Sequence, residues 1–236
     1  VLTEADLAIG EYVIKEIKRE YPDYNIIDEE AGAIQKQSTF TWVIDPIEGT
    51  SNFASGSEDY GIMVGLLDDV MPIAGGIIVP SQGTLYIAEK GKGATKNGQP
   101  IHVTSETNLL SKLVSYGIDG YQDDPERTRE ESKLVAEIVL SIRNFRNAGC
   151  EAVDSMRVAE GIYGGRVNMT SKIWDNVAPQ IIIEEAGGLW TDLEGNAIDY
   201  AEPLKRIDQN FTNCIGSPEL HKQLLEIIKK WKEQNV

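Results

Sequence analysis

Two hydrophobic periods alternate along the chain. Thr3-Glu4-Ala5-Asp6 has the character of a helix N-terminus with Thr3 as its cap. Leu7, Val13, Ile14 and Ile17 then share one helical stripe, which ends near Tyr21-Pro22. Phe40-Thr41-Trp42-Val43-Ile44 is β-rich and is expected to stop at Asp45-Pro46, because proline fixes φ and has no N–H for a ladder. Ile62 to Leu67 and Ile73 to Val79 read as strands joined by the turn Asp68-Asp69. Thr84 to Glu89 is another, followed by Gly91-Lys92-Gly93 and the turn Asn97-Gly98.

In the second half, Leu113 to Ile118 reads as a strand, and Pro125 is placed to start a helix running to about Ile142. Further helices are expected over Glu151 to Gly161 and over Val177 to Ala186, the latter stopped by Gly187-Gly188. Trp190 to Ile198 has the pattern of a hairpin around Glu194-Gly195-Asn196. A short strand over Asn213 to Ile215 and a helix from Pro218 to about Trp231 complete the pattern. Helices and strands interleave, while the hairpin signals exclude a purely parallel sheet. The expected class is α/β (α+β), layered, with mixed or antiparallel sheets. Two lobes, residues 1–110 and 111–236, are expected to form one compact unit.

Composition narrows the function. The 236 residues carry 38 acidic against 22 basic side chains, a net charge of −16. Binding to a nucleic-acid backbone needs a basic face, so nucleic acid is not an expected partner. No apolar run approaches the roughly 18 residues of a membrane span. Val1-Leu2-Thr3-Glu4 has neither a basic nor an apolar signal region, so a cytoplasmic location is expected. Cys150 and Cys214 lie far apart without metal-ligand spacing and are expected to be free thiols.

Candidate chemistry begins at Asp45-Pro46-Ile47-Glu48-Gly49-Thr50, where an apolar strand delivers two carboxylates around a Pro-Ile turn. The turn frees the Ile47 carbonyl to face the same cation as Asp45. Gly49 permits close backbone approach, and Thr50-Ser51-Asn52 can open a helix whose free N–H groups face an anion. A capped strand-turn-helix with exposed acids reads equally well from these residues. Asp28-Glu29-Glu30 alone reads as a solvated loop, and Asp175 alone as a helix N-cap. His102 and His221 fall outside every motif and are assigned structural or surface positions.

Taken together, these segments resemble the inositol monophosphatase family of the lithium-sensitive, magnesium-dependent phosphatase superfamily. The matching stretches are Thr3 to Asp6, Asp28 to Glu30, Trp42 to Phe53, and Trp174-Asp175 followed by Glu184-Glu185-Ala186-Gly187-Gly188. Leu85 to Glu89, Gly91 to Ala94, Asn97-Gly98 and Arg146 to Ala152 match the family's intervening segments. The resemblance implies an αβαβα sandwich of sugar-phosphatase type, two or three Mg²⁺ ions, inhibition by Li⁺, and a homodimer. It also implies a small phosphate monoester as substrate, with water displacing the alcohol.

Carried over by residue, Glu29, Asp45 and the Ile47 carbonyl would hold the first ion. Asp45, Glu48 and Asp175 would hold the second, and Glu29 would reach a third through water. Asp6 and Thr50 would orient the attacking water, with Glu29 counted alongside them in the catalytic set. Gly49, Thr50 and Ser51 would hold phosphate, and Glu151, Asn168 and Asp175 would face the substrate alcohol. The 1–110 lobe would then carry the metal and phosphate site, and 111–236 would complete it.

The chain departs from the family pattern at four places. Glu48 stands where Asp is usual, Asn168 where an acid often grips a substrate hydroxyl, and Glu151 where a small residue is usual. A further long helix ordinarily precedes the segment matching Val1 to Asp6, so this N-terminal helix is expected to be missing and part of the core exposed. The leading expectation is hydrolysis of an inositol or related polyol or sugar phosphate. The alternatives are a 3′-phosphoadenosine-type nucleotide phosphatase, for which no clear aromatic or basic purine site is visible although Arg143 and Arg146 could serve a second phosphate, a fructose-1,6-bisphosphatase, or a metal-binding regulatory relic impaired at Glu48 and by the missing helix.

Overall fold

Thr3 caps the first helix as expected. Its hydroxyl accepts from the Asp6 amide while the Asp6 carboxylate accepts from the Thr3 amide, so α1 (Glu4–Glu20) begins with a reciprocal capping box. The computed structural model describes residues 2–234. After α1 come β1 (Asn25–Asp28), β2 (Gly32–Ile34), β3 (Phe40–Glu48), α2 (Thr50–Ala54), β4 (Gly61–Asp68), β5 (Met71–Val79), β6 (Thr84–Glu89), β7 (Ala94–Lys96) and β8 (Gln99–Pro100). The second half holds β9 (Leu113–Gly117), α3 (Pro125–Ser141), β10 (Asn144–Arg146), α4 (Glu151–Ala159) and β11 (Tyr163–Ser171). It ends with α5 (Ile173–Glu185), β12 (Leu189–Thr191), β13 (Phe211–Gly216) and α6 (Pro218–Gln234).

The strands form two mixed sheets, ordered β2-β1-β3-β4-β5-β6-β7-β8 and β10-β9-β11-β13-β12. Helices alternate with them in layers. Ile14 and Ile17 of α1 pack on Ile26 and Ile44 of the outer face of the first sheet. Helices α4 and α5 fill the space between the sheets, where Met156, Ile181 and Ile182 meet Met63, Ile77 and Ile215. Helices α3 and α6 cover the far side of the second sheet through Leu134, Ile138, Leu220, Leu224 and Ile228. The layered α/β class expected from the pattern is therefore the class observed. Ile78, Leu85 and Ile87 stand on the same face as α1 but outside its reach, and are 38–49% exposed. Among the described residues, no helix is long and apolar enough to cross a membrane.

Several local expectations are corrected. β3 does not end at Pro46 but runs to Glu48, because a bulge absorbs the proline where no ladder N–H is needed. Helix α5 starts at Ile173 rather than Val177. The hairpin over 190–198 does not form: β12 pairs with β13, and Asp192 Oδ1 instead accepts from the amides of Glu194 and Asn196 at 2.9 and 2.8 Å. The hydrophobic pattern predicts no strand at β1, β2, β10 or β11. β11 is interior to its sheet, yet it carries Gly164 and Gly165 against Leu220 and Leu224, then Arg166 and Asn168, in place of alternating apolar residues.

One packing feature decides where α5 lies. A Cβ on Gly65 would come within 2.6 Å of Val177 Cγ1, and one on Gly75 within 2.6 Å of the Ala178 carbonyl. These two glycines are paired across β4 and β5, so together they form a flat channel in which the helix backbone rests on the sheet. Gly65→Ala has no flexible neighbour to displace and is expected to cost about 2 kcal/mol or more, lowering Tm by roughly 4–8 °C. Gly120→Ala, where a Cβ meets nothing within 4 Å, serves as the control. Equal melting temperatures for the two variants would refute this account of the close approach.

Candidate active site

The bulge in β3 brings the first two carboxylates together. Asp45 pairs with Met63 and Glu48 with Gly61, so three steps along β3 match two along β4. In an unbroken strand, residues three apart point to opposite faces; the extra residue returns both side chains to one face. Gly49 then turns the chain at φ +85°, in a space where a Cβ would sit 2.9 Å from the Asp59 carbonyl. Helix α2 follows without a side-chain cap, which leaves its first amides unclaimed by any cap.

The third carboxylate arrives on α5. Asp175 occupies the first turn of the helix, two residues before the Val177 that rests on Gly65, and its Oδ2 accepts from the Lys172 amide at 2.6 Å. One oxygen from each of Asp45, Glu48 and Asp175 lies within 4.8 Å of the other two. Glu29 follows β1, its amide donating to the Ile44 carbonyl at 3.2 Å, and its carboxyl enters the same cavity.

The electrostatics of this cluster are unfavourable without a cation. Burial, then the charges of Glu48 and Glu29, push the Asp45 carboxyl well above the usual carboxylate range. Burial and Glu48 likewise raise Asp175. Burial raises Glu48, partly offset by the Glu151 amide, and burial with Glu48 and Glu30 moves Glu29 up to about 7. Asp45 is 1% exposed, and among the described residues neither of its oxygens has a hydrogen-bond partner. A buried carboxylate without donors, surrounded by other carboxylates, lacks only a positive partner. The donor set is all oxygen, with no imidazole or thiolate, which suits a hard cation such as Mg²⁺.

The remaining predicted residues fall around this cluster. Asp6 is fully buried, and its Oδ1 lies 3.5 Å from Thr50 Oγ1, which donates to the Ile47 carbonyl at 2.8 Å. Glu29, Glu48, Gly49, Thr50, Ser51, Glu151, Asn168 and Asp175 all line one cavity of 490 Å³. Asp45 and Asp6 lie behind its wall, and Arg143 and Arg146 do not line it. His221 is buried elsewhere, with Nε2 2.8 Å from Thr191 Oγ1, and both cysteines are buried free thiols.

Glu151 does not face solvent. It is 2% exposed, with Oε1 accepting from Arg166 Nε at 2.7 Å and from Ser155, and Oε2 accepting from Asn168 Nδ2 at 3.1 Å. Arg166, Asp154 and Gly117, which support this arrangement, were not singled out from the sequence. The one available signal was an arginine two residues before Asn168, and it became legible only once β11 was seen to be buried.

The Inositol monophosphatase family profile matches residues 1–233. A relative from Aquifex aeolicus, named fructose-1,6-bisphosphatase/inositol-1-monophosphatase, is 32% identical over 225 residues, covering 93% of this chain and 79% of the relative. Inositol-1-monophosphatase ImpA of Mycolicibacterium smegmatis is 32% identical over 232 residues, covering 96% and 79%. The solved structure of inositol monophosphatase from Anabaena (Nostoc) sp. PCC 7120 matches with a TM-score of 0.87 at 27% identity, covering 97% of this chain and 87% of that one. With the family profile running almost end to end and the acidic cluster held in the same layered fold, the chain belongs to the inositol monophosphatase family and is a phosphomonoesterase.

Proposed function

We propose that the chain hydrolyses a small polyol or sugar phosphate in a Mg²⁺-dependent, Li⁺-inhibited reaction, an inositol phosphate being the default substrate. The observation that carries this reading is the Asp45 carboxylate, buried without a single donor between Glu48, Glu29 and Asp175. Bound Mg²⁺ would supply positive charge opposite the phosphoryl oxygens and acidify water at the site. Asp45, Glu48, Asp175, Glu29 and the Ile47 carbonyl are the groups that would hold it.

The chain's own groups have distinct tasks in this reading. The uncapped first turn of α2, opened by Gly49 and Thr50, offers amides to the phosphate oxygens. The Thr50 hydroxyl orients the attacking water, and the buried Asp6 carboxylate beside it accepts the proton that Thr50 passes on. Asn168, with its Oδ1 held by the Thr170 amide at 2.9 Å, stands at the alcohol side of the cavity. The glutamate at position 48 is accommodated rather than disabling, because its Oε1 reaches the Glu151 amide at 2.6 Å.

Phosphate release measured with Mg²⁺ over a panel of inositol, sugar and 3′-phosphoadenosine phosphates tests the reading directly. Selective turnover of inositol phosphate, lost with chelator and reduced by Li⁺, is the expected result. Mg²⁺ binding without turnover of any ester would sink it.

Asp45→Asn separates function from stability. It removes a buried, unpartnered charge, so the cation-free variant is expected to melt higher by roughly 2–8 °C, about 1–2 kcal/mol. Its phosphate release should fall by at least about 10³-fold. A variant that is inactive and also less stable without cations would contradict the charge argument.

Glu48→Asp withdraws the carboxylate from the α4 amide. Phosphate release at limiting Mg²⁺ is expected to drop about tenfold, even though aspartate is the usual family residue. Unchanged or improved activity would show that the extra methylene is not used.

A further inference from the structure

The Glu151 amide that holds Glu48 belongs to the first residue of α4, a helix with no side-chain cap of its own. A carboxylate from the end of β3 therefore fills the place of the missing cap, where the helix dipole favours negative charge. The direction of that amide depends on how the first turn of α4 is fixed. Gly61, the partner of Glu48 across the bulge, sets the distance, since a Cβ there would lie 2.7 Å from Ala152 Cβ.

The orientation of that turn is set from β11. Arg166 is 2% exposed, and its guanidinium straddles two carboxylates one helical turn apart. Nε donates to Glu151 Oε1 at 2.7 Å and Nη1 to Asp154 Oδ2 at 2.6 Å, with Ser115 Oγ at 3.5 Å from Nη1. Asp154 Oδ2 also accepts from the Ala148 amide at 3.2 Å, which ties the loop before α4 to the same point. Nη2 occupies the space left by the absent side chain of Gly117, where a Cβ would sit 2.8 Å from it. The Nε–Nη1 edge is thus held by two carboxylates, and Nη2 lies against Gly117.

We propose that Arg166 is a positioning residue that acts through Glu151 to fix the Glu48 carboxylate for a cation. The chain of contacts runs Arg166, Glu151 side chain, Glu151 amide, Glu48. Mg²⁺ demands near-octahedral geometry, and glutamate has one more rotatable bond than the aspartate usual at this position. Anchoring one of its oxygens to a helix that is itself clamped removes that freedom before the cation arrives. The guanidinium is the required group because its planar fork meets two carboxylates at once, whereas an ammonium is a point charge on a flexible stem. Glu48, Glu151 and Arg166 are then one interdependent set. This inference rests on the reading of Glu48 as a cation ligand.

The test is a double-mutant cycle read by calorimetric Mg²⁺ titration, with thermal melts of each cation-free protein alongside. Arg166→Lys keeps the charge but loses the fork, and is expected to weaken Mg²⁺ binding about tenfold, as loss of an outer support to a metal ligand does. In a Glu48→Ala background the same change is expected to weaken it less than about twofold, because the side chain that the link positions is no longer there. A fall in Tm with unaltered Mg²⁺ affinity would assign Arg166 a purely structural role and overturn the proposal. Equal losses in both backgrounds would overturn it as well. Should the lysine variant fail to fold, Glu151→Gln reads the same link while keeping the Asp154 pair; weaker Mg²⁺ binding supports the proposal and unchanged affinity refutes it. Absence of Mg²⁺ binding by the parent chain would overturn the metal reading together with this proposal, whereas binding by the parent with the variants unaffected overturns this proposal alone.

Discussion

Repulsion among carboxylates gathered around the buried Asp45 is the constraint around which the rest of this protein is arranged. Asp45, Glu48, Asp175 and Glu29 come from three separate stretches of chain, and each is pushed up by burial and by its neighbours. Left to electrostatics they would separate. They stay together because apolar packing elsewhere fixes the backbones that carry them. The Asp45 strand is buried between α1 and α5, and Asp175 sits on a helix seated in the channel of Gly65 and Gly75. Strain that a fold maintains at one place, against packing gained at another, is the physical signature of a site built for a ligand of opposite charge.

Close backbone approach recurs as the means of holding that strain. Gly65 and Gly75 set α5 on the sheet, Gly61 sets α4 beside the bulge, and Gly10 brings α1 to within a missing methyl of Asp28 and Pro46. In each case a helix terminus or a helix flank is brought to the end of β3. The result is a cavity with the backbone of α2's first turn on one side and carboxylates on another. On the proposed reading, the two requirements of phosphate ester hydrolysis would be met within a few residues of one strand end.

The second half of the chain contributes more than a wall. Its buried Arg166 pairs with Glu151 and Asp154 at 2% exposure or less, an arrangement of three charges that an apolar core would not require. Buried ion pairs of this kind are weak evidence for stability, and on the proposal above this one fixes geometry. Here the geometry fixed is the first turn of α4, and through it the longer carboxylate at position 48. On the proposal above, the longer carboxylate of Glu48 and the buried side chain of Glu151 act as one set, joined through the Glu151 amide and Arg166.

How much of this was legible beforehand differed from residue to residue. The helical stripe of α1 and the hairpin-rich first sheet are local patterns, legible in periodicity and turn chemistry, whereas the motif from Asp45 to Thr50 reads equally well as a capped turn until it is joined to the other segments. Glu29 and Asp175 were identifiable only by joining separated segments, since each alone reads as a solvated acid or a helix cap. The passage of β3 through Pro46 was hidden because a bulge is a relation between two strands, not a property of one. β11 was hidden because its interior positions are filled by glycines and by an arginine and an asparagine whose partners lie on α4. Tertiary structure alone decided that Glu48 reaches an amide of α4 and that Glu151 is buried against Arg166. The reason is that hydrophobic periodicity reports what a segment turns away from water, whereas a buried polar contact depends on which distant segment supplies its partner.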